Sequence, residues 1–452
     1  MRYKSAPVPP YLLDLVDQTR QRLQAPDFCA RHRARPADFT RRSPLGFPVV
    51  SLLVLQKTTR SVQRHLHAFF DQLSAFHPVE AVTPGGWTQA RAKLRHTAFI
   101  ELNQTVALPL ACAPAQAALL RRWHGHRLVG FDGSVTRLPN APDVQRAFGL
   151  VEVTNQTGAT GTAYPEARLS VAYDLLNRLG LDARLEPSSV GEVDLAIAQL
   201  PVLQSGDVAL VDRGYTGYRF LALVGQTGAH FIARCSRGSF AAAQELFRLD
   251  QAGQSRIVTL VAPQEERARL RRLGLPLTLT VRFVSVRLST GELEVLVTSL
   301  LDETAYPTGE FKEVYHERWG QETFHLMLKS RLDLENWSGR TAEAVRQDFH
   351  ATVFLCNLES LLTRPAQAQL DAGNAQRRHP AQVNRAVAYH ALKGQMLELL
   401  YGDRPAGEVV QRLQQLFLGA PVLRRPERKV PRRPTPLGRS YHHQRHVRKS
   451  VF

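Results

Sequence analysis

Two short apolar runs, each stopping on an aspartate, limit what this chain can fold into more than any other feature. His126-Arg-Leu-Val-Gly-Phe-Asp132-Gly-Ser and Asp207-Val-Ala-Leu-Val-Asp212-Arg-Gly-Tyr share one design. Each reads as a buried strand that ends in a carboxylate and a glycine-containing turn. That places the acid at the carboxyl-terminal edge of an α/β sheet, where open sheets build their sites. Aspartate beside glycine is also ordinary turn chemistry, and one such run alone reads more often as structural than as catalytic.

A third carboxylate comes from a helical pattern, Tyr315-His-Glu-Arg318-Trp-Gly-Gln-Glu322, followed by Lys329. At about 100° per residue, positions 315, 318, 322 and 329 fall within roughly 60° of one another. One stripe therefore carries a phenol, a guanidinium, a carboxylate and an ammonium along about 20 Å of helix. Phe324, Met327 and Leu328 project to the other side, where they anchor the helix to a core. Alone, Arg318 with Glu322 is an ordinary surface ion pair worth about 0.3–0.5 kcal/mol. Two aspartate-ended strands plus a carboxylate-bearing helix form a rarer set, and three convergent carboxylates suit hard divalent cations that prefer oxygen ligands.

These residues resemble the DDE transposases of insertion-sequence family 4. Asp132, Asp212 and Glu322 match the acidic triad, and Tyr315-x2-Arg318-x3-Glu322-x6-Lys329 matches the family's tyrosine-arginine-glutamate-lysine signature in residues and spacing. The surroundings are similar too: Phe131-Asp132-Gly133-Ser134, Asp212-Arg213-Gly214-Tyr215, Leu296-Val-Thr298 and Trp337-Ser-Gly339-Arg-Thr341. The resemblance covers about residues 30 to 365. It implies an α/β fold: a ribonuclease-H-like mixed-sheet catalytic core with a β-rich insertion, beside a helical N-terminal domain. It further implies that Asp132 and Asp212 lie on adjacent central strands, although 80 residues separate them.

Composition points the same way without deciding the matter. Lys plus Arg number 58 against 40 acidic residues, a net charge of +18, which favours a polyanion such as nucleic acid. A ribosomal or membrane-surface protein has the same balance. Cys29, Cys112, Cys235 and Cys356 are scattered, with no CxxC pair, so they read as reduced thiols and neither a zinc site nor a disulfide framework. No apolar leader opens the chain and no run reaches a membrane span, so a soluble protein of the bacterial cytosol, associated with the nucleoid, is expected.

The organisation expected along the chain starts with a helical, basic region over 1–120. Thr83-Pro84 is a helix start within it, carrying Gln89, Arg91, Lys93 and Arg95. This segment reads equally as a DNA-reading helix or as a solvated charged helix. Residues 121–365 form the catalytic domain, with strands at 127–132, 167–174, 182–187, 207–212 and 230–236 and helices at 192–200 and 218–224. A β-rich insertion fills 237–307, with a hairpin signal over 277–288 and 293–300. In some members of the family that the chain resembles, an insertion tryptophan receives a flipped base; this chain has none between Asp212 and Trp319, which leaves Phe283 or Tyr306 as substitutes. A helix over 341–362 should end before Pro365, a helical region should occupy 366–422, and 423–452 should be a disordered basic tail with His442, His443 and His446.

The resemblance implies a mechanism as well. Two Mg²⁺ ions, replaceable by Mn²⁺, sit on Asp132, Asp212 and Glu322, with Asp132 shared. Tyr315, Arg318, Lys329 and Arg213 contact the DNA backbone near the cleaved end. The substrates are double-stranded transposon terminal inverted repeats and target DNA, held by a homodimer, with a hairpin intermediate in some members. A ribonuclease-H-fold nuclease or resolvase, or a non-catalytic DNA-binding descendant, are the competing readings.

Overall fold

Eight strands form one mixed sheet in which long-range neighbours sit at the centre. They are β1 (Leu128–Arg137), β2 (Glu166–Asp174), β3 (Leu179–Pro187), β4 (Val208–Val211), β5 (His230–Arg234), β6 (Ser255–Val261), β7 (Thr278–Arg287) and β8 (Leu293–Thr298). Their order across the sheet is β3-β2-β1-β4-β5-β8-β7-β6. The computed structural model describes residues 7–57, 61–74, 82–152 and 163–425. The expected basic tail, with its three histidines, therefore lies almost wholly outside the described residues.

β2 and β3 form an antiparallel hairpin, whereas β1, β4 and β5 run parallel to one another. Parallel neighbours need crossovers, supplied here by the helices Glu192–Gln199 and Tyr218–Gln226. β4 is buried at every position, which is why its sequence is a continuous apolar run without alternation. This is the ribonuclease-H-like mixed α/β core that the resemblance implies, with β1 beside β4. Beyond β5 the inserted strands continue the same sheet: β8 pairs antiparallel with β5, and β7 with β8 in the expected hairpin. The edge strand β6 is largely exposed.

One expectation for β1 is corrected. The strand does not stop at Asp132 but runs on to Arg137. Only its first part pairs with β4, and burial drops from full to partial at Asp132 itself.

The chain divides into two compact units. The sheet lies in the unit made of Ala118–Thr136 and Ala167–Met327, apart from the outermost residues of β1 and β2. The other unit comprises Met1–Ala117, Arg137–Glu166 and Leu328–Phe452 and is mainly helical where described. Its centre is the helix Ala342–Ala372, buried along most of its length. This helix passes through Pro365 instead of ending before it. Proline removes the amide that would bond the carbonyl four residues back. Here the Leu361 carbonyl instead accepts from the Tyr11 hydroxyl at 3.4 Å, so the defect is met from outside the helix.

The Thr83 cap is present, its hydroxyl accepting from the Gly86 amide at 3.1 Å. The helix it starts ends at Arg91, so Lys93 and Arg95 lie beyond it. Arg91 is buried and donates to Asp348 (2.7 Å), Ser338 (2.7 Å) and Gln347 (2.8 Å). With four of its five N–H groups bonded inside the unit and the side chain buried, this guanidinium holds helices together and is not presented to a solvent-side ligand. Among the described residues no helix is long and apolar enough to cross a membrane.

Candidate active site

The register of the central strands sets the first two carboxylates level. Leu128, Val129 and Gly130 of β1 face Val208, Ala209 and Leu210 of β4, and the same offset continued brings Asp132 opposite Asp212. β4 ends at Val211, and Asp212 caps the short turn Arg213–Tyr215 by accepting from the Arg213 amide at 2.6 Å. Both acids thus stand where the paired part of the parallel sheet gives out, the position at which such sheets form clefts.

Glu322 arrives on a helical segment that is not one continuous α-helix. Phe311–His316 and Trp319–Leu326 are α-helical, and a π-helical turn follows over Met327–Arg331. At the first join the amides of Glu317 and Arg318 bond three residues back, to Val314 and Tyr315. Such tightening eclipses residues three apart, so Tyr315 and Arg318 share a side, with the guanidinium carbon 5.9 Å from the tyrosine ring centroid. Arg318 then donates to Glu322 at 2.6 Å, one turn on. Three of the four signature residues are therefore brought together. Lys329 lies in the π-turn, half-buried, and belongs to the other unit.

The segment is seated on the sheet by its apolar side and by one amide. Phe324 stacks on Tyr173 of β2 at 4.2 Å between centroids, and the buried Gln321 donates to the Val171 carbonyl at 2.8 Å. Gly130 makes room for this approach. A Cβ there would come within 2.8 Å of Gln321 Oε1 and 3.1 Å of Leu175. Tyr315 is only 4% exposed, and its hydroxyl donates to the Val211 carbonyl at 3.2 Å.

Charge is unevenly shared among the acids. Burial, then the adjacent Glu192 carboxylate and the hydrogen bond between the two, push Asp132 up to about 7, with Glu322 adding to the rise and Arg318 opposing it. Burial would raise Asp212 too, but Arg234 outweighs it by donating to both oxygens at 2.7 and 3.0 Å, and Asp212 sits below its ordinary value. Arg234 also donates to the buried Glu294 at 2.9 Å. Arg318 acts on all three expected acids: it bonds Glu322 and favours ionisation of Asp132 and Asp212. Among the described residues no three acidic, imidazole or thiol side chains are grouped as a formed metal site. The donor chemistry nevertheless suits a hard cation, since carboxylate oxygens are its preferred ligands and the like charge that crowds Asp132 is what a cation would relieve.

Several contributors are absent from the sequence reading. Glu192, first residue of its helix, accepts from the Gly133 amide and the Tyr215 hydroxyl. His325 places Nδ1 3.7 Å from an Asp132 oxygen, and Arg234 holds Asp212. Only His325 left a trace, three residues after Glu322 on a helix. A first-turn glutamate reads as ordinary dipole compensation. Of the other expected contacts, Arg213 is exposed and makes no hydrogen bond or ion pair through its side chain among the described residues. Phe283 is fully buried against Phe240, so it cannot stack on a base. Tyr306 is bonded to His126 at 2.7 Å and flanked by Trp123.

Comparison with known proteins gives three results. Residues 123–358, just over half of the chain, match the family described as "Transposase DDE domain". The transposase InsG for insertion sequence element IS4 of Escherichia coli (strain K12) is 27% identical over 304 residues, 65% of this chain and 64% of that protein. The chain thus spans less than two thirds of the length of this curated relative. Among solved structures, the piggyBac transposase synaptic complex with hairpin DNA gives a TM-score of 0.44 at 9% identity, covering 92% of this chain and 88% of that one.

Proposed function

We propose that this chain, which belongs to the transposase DDE-domain family, cuts DNA at the ends of an insertion sequence and joins the freed 3′-hydroxyls to target DNA. What supports the proposal is one guanidinium, Arg318, which hydrogen-bonds Glu322 and acts electrostatically on both Asp132 and Asp212. The net charge of +18 supports a polyanionic partner.

Asp132, Asp212 and Glu322 are the proposed holders of two Mg²⁺ ions, for which Mn²⁺ substitutes. Held there, such ions would supply activation of the attacking oxygen and stabilisation of the leaving one. Water is the nucleophile of the first step, and the released 3′-hydroxyl is the nucleophile of the next, on the opposite strand as a hairpin or on target DNA. No covalent bond to the protein is required. Arg318 and Arg234 pair with Glu322 and Asp212 respectively and offset their charge. Tyr315, buried and committed to the Val211 carbonyl, orients the strand end before Asp212 and has little surface for the DNA backbone. The phosphate contacts are assigned to the exposed Arg213 and to Lys329, while Arg318, as buried as Tyr315 and bonded to Glu322, is assigned to holding that carboxylate. A homodimer holding both transposon ends is the proposed assembly.

The direct test is strand transfer. Pre-cut end duplexes incubated with the full chain, Mg²⁺ and a supercoiled plasmid are expected to yield joined products bounded by short target duplications. Ends that are bound but never joined, in Mg²⁺ or Mn²⁺, would defeat the proposal.

A further inference from the structure

We propose that Glu192 is a positioning residue of this site, whose carboxylate ties the part of β1 that carries Asp132 to the turn that Asp212 caps. The inference rests on the reading of that site as a DDE centre. One oxygen, Oε1, accepts from the Gly133 amide at 2.8 Å and from the Tyr215 hydroxyl at 2.6 Å. Gly133 is the residue after Asp132, and Tyr215 closes the turn that Asp212 caps. A single atom therefore links the two acid-bearing segments, which the sheet pairs only up to Gly130 and Leu210.

The surroundings are built for this link. A Cβ at Gly133 would come within 2.8 Å of Glu192 Cγ and 3.1 Å of its Cδ, so glycine is what lets the carboxylate reach the backbone. Tyr215 is 2% exposed and its ring packs against Phe220 at 5.4 Å, which fixes the direction of its hydroxyl. A buried phenol needs an acceptor to replace the water it has lost, and Glu192 is that acceptor. The second oxygen, Oε2, lies 3.8 Å from the Arg168 guanidinium on β2, which adds a third strand to the connection. Outer residues that orient metal-holding groups typically change metal affinity by about 10–100-fold when removed.

The test is Mn²⁺ affinity of the full chain, followed by electron paramagnetic resonance of the free ion, with thermal melting measured alongside. Glu192→Ala is expected to weaken Mn²⁺ binding about 10-fold. Glu192→Gln keeps an acceptor oxygen for Gly133 and Tyr215 and is expected to stay within about threefold of wild type. Tyr215→Phe, which removes one donor and no charge, should weaken binding in the same direction, and it carries the test should Glu192→Ala fail to melt cooperatively. Wild-type affinity in both Glu192→Ala and Tyr215→Phe would overturn the proposal. So would a Glu192→Gln variant as weak as Glu192→Ala, because charge and not positioning would then be what matters. Mn²⁺ binding with this Glu192 dependence in a chain that leaves transposon ends uncut would refute the transposase reading and keep the positioning role. End cleavage with unchanged Mn²⁺ affinity in Glu192→Ala would do the reverse.

Discussion

The hydroxyl of Tyr315 donates to the carbonyl oxygen of Val211 at 3.2 Å, joining the signature segment to the residue that precedes Asp212. Because Tyr315 shares its side with Arg318, and Arg318 bonds Glu322, this one contact sets the helix-borne carboxylate relative to a strand-borne one. Removing it should cost about 1 kcal/mol, the usual net worth of such a bond, and somewhat more if the Val211 carbonyl is left unmet. Tyr315→Phe is therefore expected to lower the denaturant midpoint modestly and to slow end cleavage more than it weakens end binding. Weakened binding with unchanged cleavage would return Tyr315 to a direct DNA contact.

The Asp132 environment makes stability depend on pH in a definite direction. Its folded value of about 7 lies above the ordinary 3.8, so the folded protein binds a proton more tightly there than the unfolded chain. The contribution is complete below about pH 4 and is lost as pH rises through 7. Asp132→Asn removes the charged form, and the metal-free variant should exceed wild type by about 1–3 kcal/mol above pH 7, with the gap closing towards pH 4. Paired melting curves from pH 4 to 8 measure this, and a gap that widens on acidification would contradict the stated environment.

Much of this core was legible beforehand because apolar runs bounded by turn residues mark strands directly. The runs at 167–174 and 230–236 correspond to β2 (Glu166–Asp174) and β5 (His230–Arg234), and the helices at 192–200 and 218–224 were placed within a few residues. The adjacency of β1 and β4 was not readable from periodicity, since 80 residues separate their acids, and it came from family resemblance. Other features left no compositional mark. A switch from four-residue to three- or five-residue hydrogen bonding breaks the helix around Arg318 and Met327 without changing residue types. Pro365 signals a helix end by its lost amide, and the compensating donor, Tyr11, lies 350 positions from the Leu361 carbonyl that it bonds. Glu192 and Arg234 act through partners distant in sequence, so neither stands out in its own segment.

Arg234 is the cation whose loss should be felt most broadly. It bonds both oxygens of Asp212 and also Glu294, whose side chain is 7% exposed. Arg234→Ala leaves two acids unpaired and is expected to destabilise the fold by about 2–4 kcal/mol. Adding Glu294→Ala should recover part of that loss. Urea titrations of the single and double variants check both statements, and strict additivity of the two substitutions would rule out the coupling.

Gly130 offers a steric test of how the signature segment sits on the sheet. Its added Cβ would meet Gln321 Oε1 at 2.8 Å and Leu175 at 3.1 Å. Gly130→Ala should therefore cost about 1–3 kcal/mol by overpacking and displace the segment that bears Glu322. Trimming Leu175 to alanine in the same chain should restore part of the stability. A stable Gly130→Ala protein with full cleavage activity would show that the segment is seated elsewhere.

The most direct measurement is divalent-ion-dependent cleavage of DNA carrying the element's own ends, by wild type, Asp132→Ala and Glu322→Ala. The expected result is cleavage at the end boundary by wild type alone, with both variants still binding the ends and reduced at least about 1,000-fold in rate, the scale on which essential catalytic groups act. Equal cleavage by the three proteins would contradict the assignment of Asp132 and Glu322 as the residues that carry the chemistry.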